Sequence, residues 1–406
     1  MLIKCLVFAN MKLLILLLCA FVSGNRLHCN EQSILLRLRK PTYEFSVRIL
    51  DRVSHVTDGH FVYSPLSTWL QLLALADGAQ GNTLNEIISV TRYHRMLCFR
   101  KMVNEIINSL DEELGTMGKR RSVIVIDKLL EVKDSYKAKI EKLNAAKVMS
   151  LNFKNKIQSA DKVNEIIAMD TNGVITDSVD AQDFNMSVLF MTDTAYMKAD
   201  WKYPFNPVYT KPEPFYTNEN VLKGEVNMMH QIGFFNFTYI PFIKAHALEL
   251  PFNERVSMIF LLPSNGLASD MFWFMKDIRL MTIYSLFKSN GLQLVNFKVP
   301  RFKQTTTIDN IPELLYDMGI KSIFYPHLAN LRSLSEYNAF ISLMVNVDDI
   351  EVTEKGVSGN VGPEFLISPD KDPIDFFLNR PFAYVIADKI TDVIIFAGVY
   401  TNPSLY

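Results

Sequence analysis

The sequence predicts a mixed α+β fold, and three observations point to it. Helix-spaced apolar residues and helix-start signals crowd the N-terminal part. Apolar, strand-like runs fill the middle and C-terminal parts. One long polar segment interrupts the strands near the C-terminus. Helices first and strands later favour α+β over an alternating α/β sheet.

The elements follow in order. Residues 43–55 place apolar side chains at helical spacing. Ser64-Pro65-Leu66-Ser67 offers an N-cap and a first-turn proline. Residues 68–76 are apolar on nearly all sides, which predicts a buried helix that Asp77-Gly78 ends. Thr83-Leu84-Asn85-Glu86 has capping-box spacing and predicts the next helix start. Gly118-Lys119-Arg120-Arg121 is locally basic and reads as a solvated loop. Residues 257–263 form an apolar strand, and residues 299–303 follow the same logic. A helix over 312–318 ends at Gly319. Residues 382–386 and 393–399 make a terminal hairpin around a turn at Asp388 to Asp392. Between the strand Ile350-Glu351-Val352-Thr353 and that hairpin lie residues 354–381. They carry Gly, Pro and charge with little apolar periodicity, so they read as an exposed loop. A loop of that length in a compact domain is usually functional or disordered.

The chain has 406 residues. Met11-Lys12-Leu13 opens a signal-like pattern, with an apolar core at residues 13–18 and small residues at Ser23 and Gly24. That core is too short to span a bilayer. The reading is a signal peptide over 1–24, its natural start at Met11, then an N-terminal extension over 25–42 and a folded region over 43–406. The other reading is one longer signal anchor from Met1. Length alone allows two ordinary domains or one large one. Formal net charge is −1, from 42 basic and 43 acidic residues, which points away from nucleic acid and acidic membrane surfaces. Cys5 and Cys19 leave with the signal region. Cys29 and Cys98 remain, able to pair in an oxidising compartment but too few for a disulfide scaffold. Asn185-Met186-Ser187 and Asn236-Phe237-Thr238 are glycosylation acceptors, whereas Asn402-Pro403-Ser404 is excluded by its proline.

No enzyme motif is present: no Gly-x-Ser-x-Gly elbow, no phosphate-binding loop and no His-Glu-x-x-His zinc motif. Gly78-Ala79-Gln80-Gly81 lacks the downstream Lys of a phosphate loop. The seven histidines are scattered, with His55 and His60 read as surface or loop residues. The expectation is therefore a non-enzyme with no metal and no cofactor.

Several widely separated segments are similar to the serpin pattern. They are Phe61 to Ser67 with Asp77 to Thr83; Lys198, Trp201, Pro204 and Phe205; Thr210 to Phe215; Val226-Asn227-Met228-Met229; Leu248 to Phe252; Pro300-Arg301-Phe302-Lys303; Gly319-Ile320; and Arg380-Pro381-Phe382 through Phe396-Ala397-Gly398 to Asn402-Pro403. Eight pieces in order over this span resemble a serine protease inhibitor that traps its target. The resemblance implies a single, monomeric domain of three sheets and eight or nine helices. It implies an exposed reactive-centre loop over about 354–380 and an extracellular serine protease as partner. In that family a protease cuts the loop, and the loop's N-terminal half inserts into the main sheet as a new strand before the acyl-enzyme hydrolyses.

Counting along the resemblance puts the loop hinge at Glu354, Lys355, Gly356, Val357, Ser358 and Gly359. The reactive bond falls between Asp370 and Lys371, and the sheet-opening region comprises Ser64, Ser67, Asp193, Trp201 and Asn346. Asp370 before the cut suits an acid-specific pocket. A slip to Lys371 suits a trypsin-like protease, and Phe365 or Leu366 a chymotrypsin-like or elastase-like one with a shorter inserted arm. The chain departs from the inhibitory pattern at several places. Val357 takes the hinge Thr or Ser slot, and Pro363 lacks the N–H a central strand needs, which leaves an acceptor unpaired at about 1–3 kcal/mol. Asp193 stands for a family Asn and Ile166 for a family Trp. Asn346-Val347-Asp348-Asp349-Ile350 replaces a run of polar, Lys, Ala and apolar residues. Alternation turns one of Asp348 and Asp349 to the core, where a carboxylate needs a hydrogen-bonded or basic partner. These departures support a second reading, a non-inhibitory binding, carrier or storage protein on the same fold.

Overall fold

The computed structural model describes residues 30–94, 96–142, 146–170, 173, 175–177, 179–185, 187–356 and 372–406. Helix α1 (Glu31–Val56) begins well before residue 43. Asn30 caps it: its Oδ1 accepts from Ser33 N (2.8 Å), and Ser33 Oγ accepts from Asn30 N (3.3 Å). Ile34 and Leu38 are buried in the core, so residues 31–42 are the first turns of a core helix. Strand β1 (Phe61–Tyr63) leads into α2 (Pro65–Gly78), whose residues are all buried, as its apolar girth predicts.

Helix α3 (Gly81–Thr91) starts at Gln80, not at Thr83, and has no side-chain cap. Tertiary partners claim the predicted capping pair. Thr83 Oγ1 meets Ser322 Oγ at 2.9 Å, and Glu86 Oε2 accepts from the N–H groups of Lys321 (2.9 Å) and Ser322 (2.8 Å). Next come α4 (Leu97–Leu114), β2 (Gly118–Asp127), α5 (Asp134–Lys142), β3 (Lys147–Leu151), α6 (Lys156–Asp170) and β4 (Leu189–Met197). The basic run 118–121 is thus the start of a strand, not a solvated loop. Arg120 is nearly covered and gives Nη2–H to both oxygens of Asp111 (3.0 and 3.2 Å).

The rest is mainly strand: β5 (Lys211–Tyr216), β6 (Leu222–Ile240), β7 (Ala245–Pro251), β8 (Val256–Pro263), β9 (Leu292–Pro300), β10 (Phe302–Ile308), β11 (Ile341–Val352), β12 (Ile374–Phe377), β13 (Phe382–Asp388) and β14 (Val393–Tyr400). Helices α7 (Met271–Phe274), α8 (Leu280–Asn290) and α9 (Ile311–Met318) lie between them. Gly319 ends α9 at φ 113°, a left-handed position. The run 299–303 is not one strand: it breaks at Arg301, whose N–H bonds Asn227 O (2.7 Å). The terminal hairpin forms as expected, β13 against β14. Strand β12 lies inside the segment expected to be loop and pairs in parallel with β9.

One sheet has the order β10-β11-β4-β2-β3. The other strands form a ladder in which β6 passes from one group to the next. Residues 222–236 of β6 pair with β5 and β9, and residues 236–240 pair with β7. The five-stranded sheet is buried on both faces. Ile124, Met191, Met344 and Ile350 face the main core with α1 and α2, and Val123, Phe190, Val345 and Val347 pack against Val163 and Ile167 of α6. A sheet covered on both sides buries most side chains of its middle strands whichever face they take, and this decides the fate of the two aspartates of β11.

Two further residues gain partners that the sequence did not assign. Cys98 is disulfide-bonded, and the other three cysteines all fall at or before residue 29, outside the described residues. His60 is a structural acceptor. Its Nδ1 accepts from Thr401 N (3.1 Å) and Asn402 N (3.3 Å) and so ties the chain after β14 to the start of β1. Burial, with help from Lys223, pushes its pKa down to about 4. The folded value lies below the ordinary one, so this contribution is present at neutral pH and fades as pH falls from about 6.5 to about 4. At most about 3 kcal/mol should be lost across that window. Urea unfolding of the native chain and of His60→Asn, whose Oδ1 accepts at any pH, checks this: the variant should lose less stability on acidification. No helix among the described residues is long and apolar enough to cross a membrane.

Candidate functional site

The site begins where β11 and β4 run side by side. They pair in parallel from Met344↔Met191 to Ile350↔Met197, with no strand between them. β11 is otherwise flanked by β10, antiparallel to it. A segment returning from the end of β11 would run antiparallel to both β11 and β4. Inserted between them, it would replace one parallel ladder with two antiparallel ones, the slightly stronger pairing.

Just beyond β11, Trp201 holds the described part of the segment expected to be the hinge. Its indole N–H donates to Thr353 O (2.7 Å), and its backbone N–H donates to Lys355 O (2.9 Å). Phe205 N donates to Glu354 O (3.1 Å), and Gly356 bridges Trp201. A Cβ on Gly356 would lie 2.5 Å from Trp201 O and 2.6 Å from Pro204 Cβ, so this approach requires glycine. The Trp201 ring stacks on Phe252 at 4.6 Å. Charge adds a second layer. Glu354 Oε1 faces Arg301 Nη1 (3.4 Å), Arg301 Nε donates to Tyr406 O (2.6 Å), and Lys198 Nζ bonds Glu351 Oε1 (2.5 Å). Burial raises the Glu351 pKa, but its bonds to Lys198 and Tyr406 outweigh that and hold it below the usual range.

Beneath the seam, four of the five predicted sheet-opening residues converge, all but Trp201. Ser64 caps α2, accepting from Ser67 N (3.4 Å) and donating Oγ–H to Ile395 O (2.8 Å). Asp193 and Asn346 are register partners across the seam, and both are fully buried. Ser122 Oγ donates to Asp193 Oδ1. Asn346 Nδ2 reaches Thr68 Oγ1 (2.9 Å) and Tyr63 Oη (3.3 Å).

Both aspartates of β11 are buried, on opposite faces of the sheet, where one was expected to face the core. Asp349 is on the α6 side, where its Oδ2 accepts from Thr305 Oγ1 (2.5 Å) with Lys303 Nζ at 3.6 Å. Asp348 faces the main core and has only Ser64 N (3.2 Å) on Oδ2. Burial raises the pKa of Asp348 well above the carboxylate range, and the nearby Asp193 adds to this. Burial likewise raises Asp193, against the opposing pull of Arg120, Ser122 and Ser67.

The structure therefore brings Ser64, Ser67, Asp193 and Asn346 together at one place, but sets Trp201, expected with them, beside Glu354, Lys355 and Gly356 at another. It missed Tyr63, Thr68, Ser122 and Arg301. Thr68 carried a signal, a hydroxyl one turn from the cap of a helix apolar on nearly all sides. Val357, Ser358, Gly359, Pro363, Asp370 and Lys371 lie outside the described residues. Of the two glycosylation candidates, Asn185 is exposed, with its Oδ1 bonded by Lys156 Nζ. Asn236 sits within β6, its Nδ2 donating to Glu249 Oε2 (2.6 Å), a bond a glycan would displace. No group of three or more His, Cys, Asp or Glu among the described residues is placed to hold a metal ion.

Comparison with known proteins agrees with this geometry. A family model described as serpin (serine protease inhibitor) matches residues 41–403. Human protein Z-dependent protease inhibitor is 28% identical over 387 residues, covering 91% of this chain and 83% of that protein. Human serpin A12 is 23% identical over 374 residues, covering 90% and 88%. Among solved structures, native protease nexin-1 with heparin superposes with a TM-score of 0.79 at 21% identity, covering 91% of this chain and all of that one. Mouse protein Z-dependent protease inhibitor gives 0.77 at 22% identity, covering 92% and 100%. The family match takes in the seam, the hinge and the terminal hairpin together, and this chain belongs to the serpin family.

Proposed function

We propose that this chain is a secreted inhibitor of a serine protease that acts by loop cleavage and strand insertion. The observation that carries the reading is the β4–β11 seam, closed in parallel register directly beside a hinge that leaves β11 at Glu354 to Gly356. An arm from that hinge has an antiparallel slot to enter. Each ladder bond it gains contributes about 0.5–1.5 kcal/mol net. The relatives include proteins named as antiproteinase and protease inhibitor. Secretion rests on the signal-like segment 11–24 and on the disulfide at Cys98, a bond characteristic of oxidising compartments. The reactive bond is assigned to Asp370–Lys371 by spacing, which makes the target trypsin-like if Lys371 is read and acid-specific if Asp370 is.

A second reading draws on Pro363 and Val357. A proline in the inserting arm removes a ladder donor and slows insertion, and slow insertion releases the protease with a cut substrate. A carrier or storage protein on this fold needs no insertion. Limited proteolysis of the loop separates the two readings. For an inhibitor, the cut chain should melt more than about 10 °C above the intact one, equivalent to several kcal/mol. Val357→Thr with Pro363→Ala should then raise the yield of covalent complex with a trypsin-like protease. An unchanged melting temperature after cutting would establish the non-inserting reading.

A further inference from the structure

The tetrapeptide Ser-Asn-Gly-Leu occurs twice, at residues 264–267 and 289–292. An asparagine followed by glycine can lose its side-chain amide without an enzyme, because no Cβ hinders the approach of the glycine nitrogen to the asparagine Cγ. Both copies turn at a left-handed glycine, Gly266 at φ 88° and Gly291 at φ 64°. Neither glycine has an atom within 4 Å of the place its Cβ would take. Local sequence and local crowding are therefore alike, and the fold alone sets the two copies apart.

The second copy is held. Asn290 is the last residue of α8, and its Nδ2 donates to Thr238 Oγ1 on β6 (2.8 Å). The Gly291 N–H donates to Phe287 O (2.9 Å) and closes the helix. The leaving amide and the attacking nitrogen are both engaged, so bringing Gly291 N onto Asn290 Cγ would break two hydrogen bonds. The first copy is free. Asn265 and Gly266 lie exposed in the connection from β8 to α7 and make no hydrogen bond to any described residue. The chain just before them is anchored, Ser264 N–H to Lys244 O (2.8 Å) and Arg380 Nη2 to Pro263 O (2.9 Å).

We propose that Asn265 is a site of spontaneous deamidation in the folded protein, and that the fold protects Asn290. In the first step the Gly266 nitrogen gives up its proton to solvent and attacks Asn265 Cγ. The new C–N bond closes a succinimide ring, the Cγ–Nδ2 bond breaks, and ammonia leaves with a proton from water. In the second step water adds to either ring carbonyl and opens the ring, giving aspartate from one side and isoaspartate from the other. Water enters, ammonia departs, and nothing is oxidised or reduced.

The surroundings accommodate the product. Isoaspartate lengthens the backbone by one atom, and the space around Gly266 is open. The change also places a negative charge two residues from Pro263, whose carbonyl a half-buried arginine holds. Arg380 makes no ion pair with a described residue, so the new carboxylate arrives near an uncompensated cation. Modification at this loop does not depend on the inhibitor reading.

The test ages the full chain in mildly alkaline buffer, native and in urea, and follows both copies by peptide mass mapping. Trypsin places them in separate peptides, residues 256–276 and 289–298. In the native chain, Asn265 should convert at least about tenfold faster than Asn290, the factor that about 1.4 kcal/mol of added barrier supplies. Isoaspartate-specific methylation should label the 256–276 peptide, and Asn265→Gln should abolish that label. In urea the helix and its bonds are gone, so the two rates should converge. Equal rates in the native chain overturn the proposal, as does an Asn265 that converts only in urea. A rate difference that persists in urea overturns it too, because the residues flanking the tetrapeptide, rather than the fold, would then set the selectivity.

Discussion

Trp201→Ala should destabilise the protein by about 3–5 kcal/mol and release the hinge at the same time. Trp201 is among the largest fully buried side chains. Its ring stacks on Phe252 and meets Phe205 edge-on at 6.1 Å, so truncation removes an aromatic cluster and leaves a cavity. The second loss is local. Thr353 O loses its indole donor, and the strand end that feeds the hinge loses one of its side-chain ties. Trp201→Phe separates the two effects: most of the packing returns and the N–H does not. Equilibrium unfolding should therefore rank native above Trp201→Phe and both above Trp201→Ala. Amide exchange at Lys355 and Gly356 should rise in both variants to a similar extent, because both lack the donor. Exchange that follows global stability instead would mean that the indole hydrogen bond does not hold the hinge.

Arg255→Ala should cost about 3–5 kcal/mol, because it leaves a buried carboxylate without its cation. Asp388 ends β13 with no solvent exposure. Arg255 grips it bidentately, Nε to Oδ1 at 2.9 Å and Nη2 to Oδ2 at 3.0 Å, and the carboxylate holds the Arg255 pKa above its ordinary value. The same guanidinium reaches Ser109 Oγ on α4 (3.1 Å), so one side chain ties three elements together. Thr391 Oγ1 (2.5 Å) and Ile390 N (3.1 Å) also donate to Asp388 and shape the β13–β14 turn. Adding Asp388→Asn to Arg255→Ala removes the uncompensated charge and keeps an acceptor for the turn. The double variant should be more stable than Arg255→Ala alone, as urea denaturation would measure. A double variant that loses the sum of both single effects would show that charge burial is not the source of the cost.

Much of the fold was legible because periodicity and capping are local properties. The all-round apolar run 68–76 required a buried helix, and Gly319 required a stop. Asp388 to Asp392 required a turn between two apolar strands. The misreadings share one cause. Thr83 and Glu86 have capping-box spacing, yet the chain near Ser322 offers them other partners. The cations of 118–121 look solvated until Asp111 of α4 is placed beside Arg120. His60 lies in a loop as expected, and only the returning C-terminal segment makes it an acceptor. Alternation places Asp348 and Asp349 on opposite faces, as it must, but it cannot say that both faces are covered.

The sequence by itself determined the α+β class, the order of helices and strands, and a long polar segment before the terminal hairpin, because spacing and residue type decide these within a few residues of chain. Tertiary structure alone decided that β4 and β11 close in parallel register, that Trp201 holds the chain just beyond β11, and that Asp193 and Asn346 are buried register partners beneath the seam. Those facts depend on segments more than a hundred residues apart meeting in a water-free interior, where the energy of a polar group is set by its neighbours in space rather than by its neighbours in sequence.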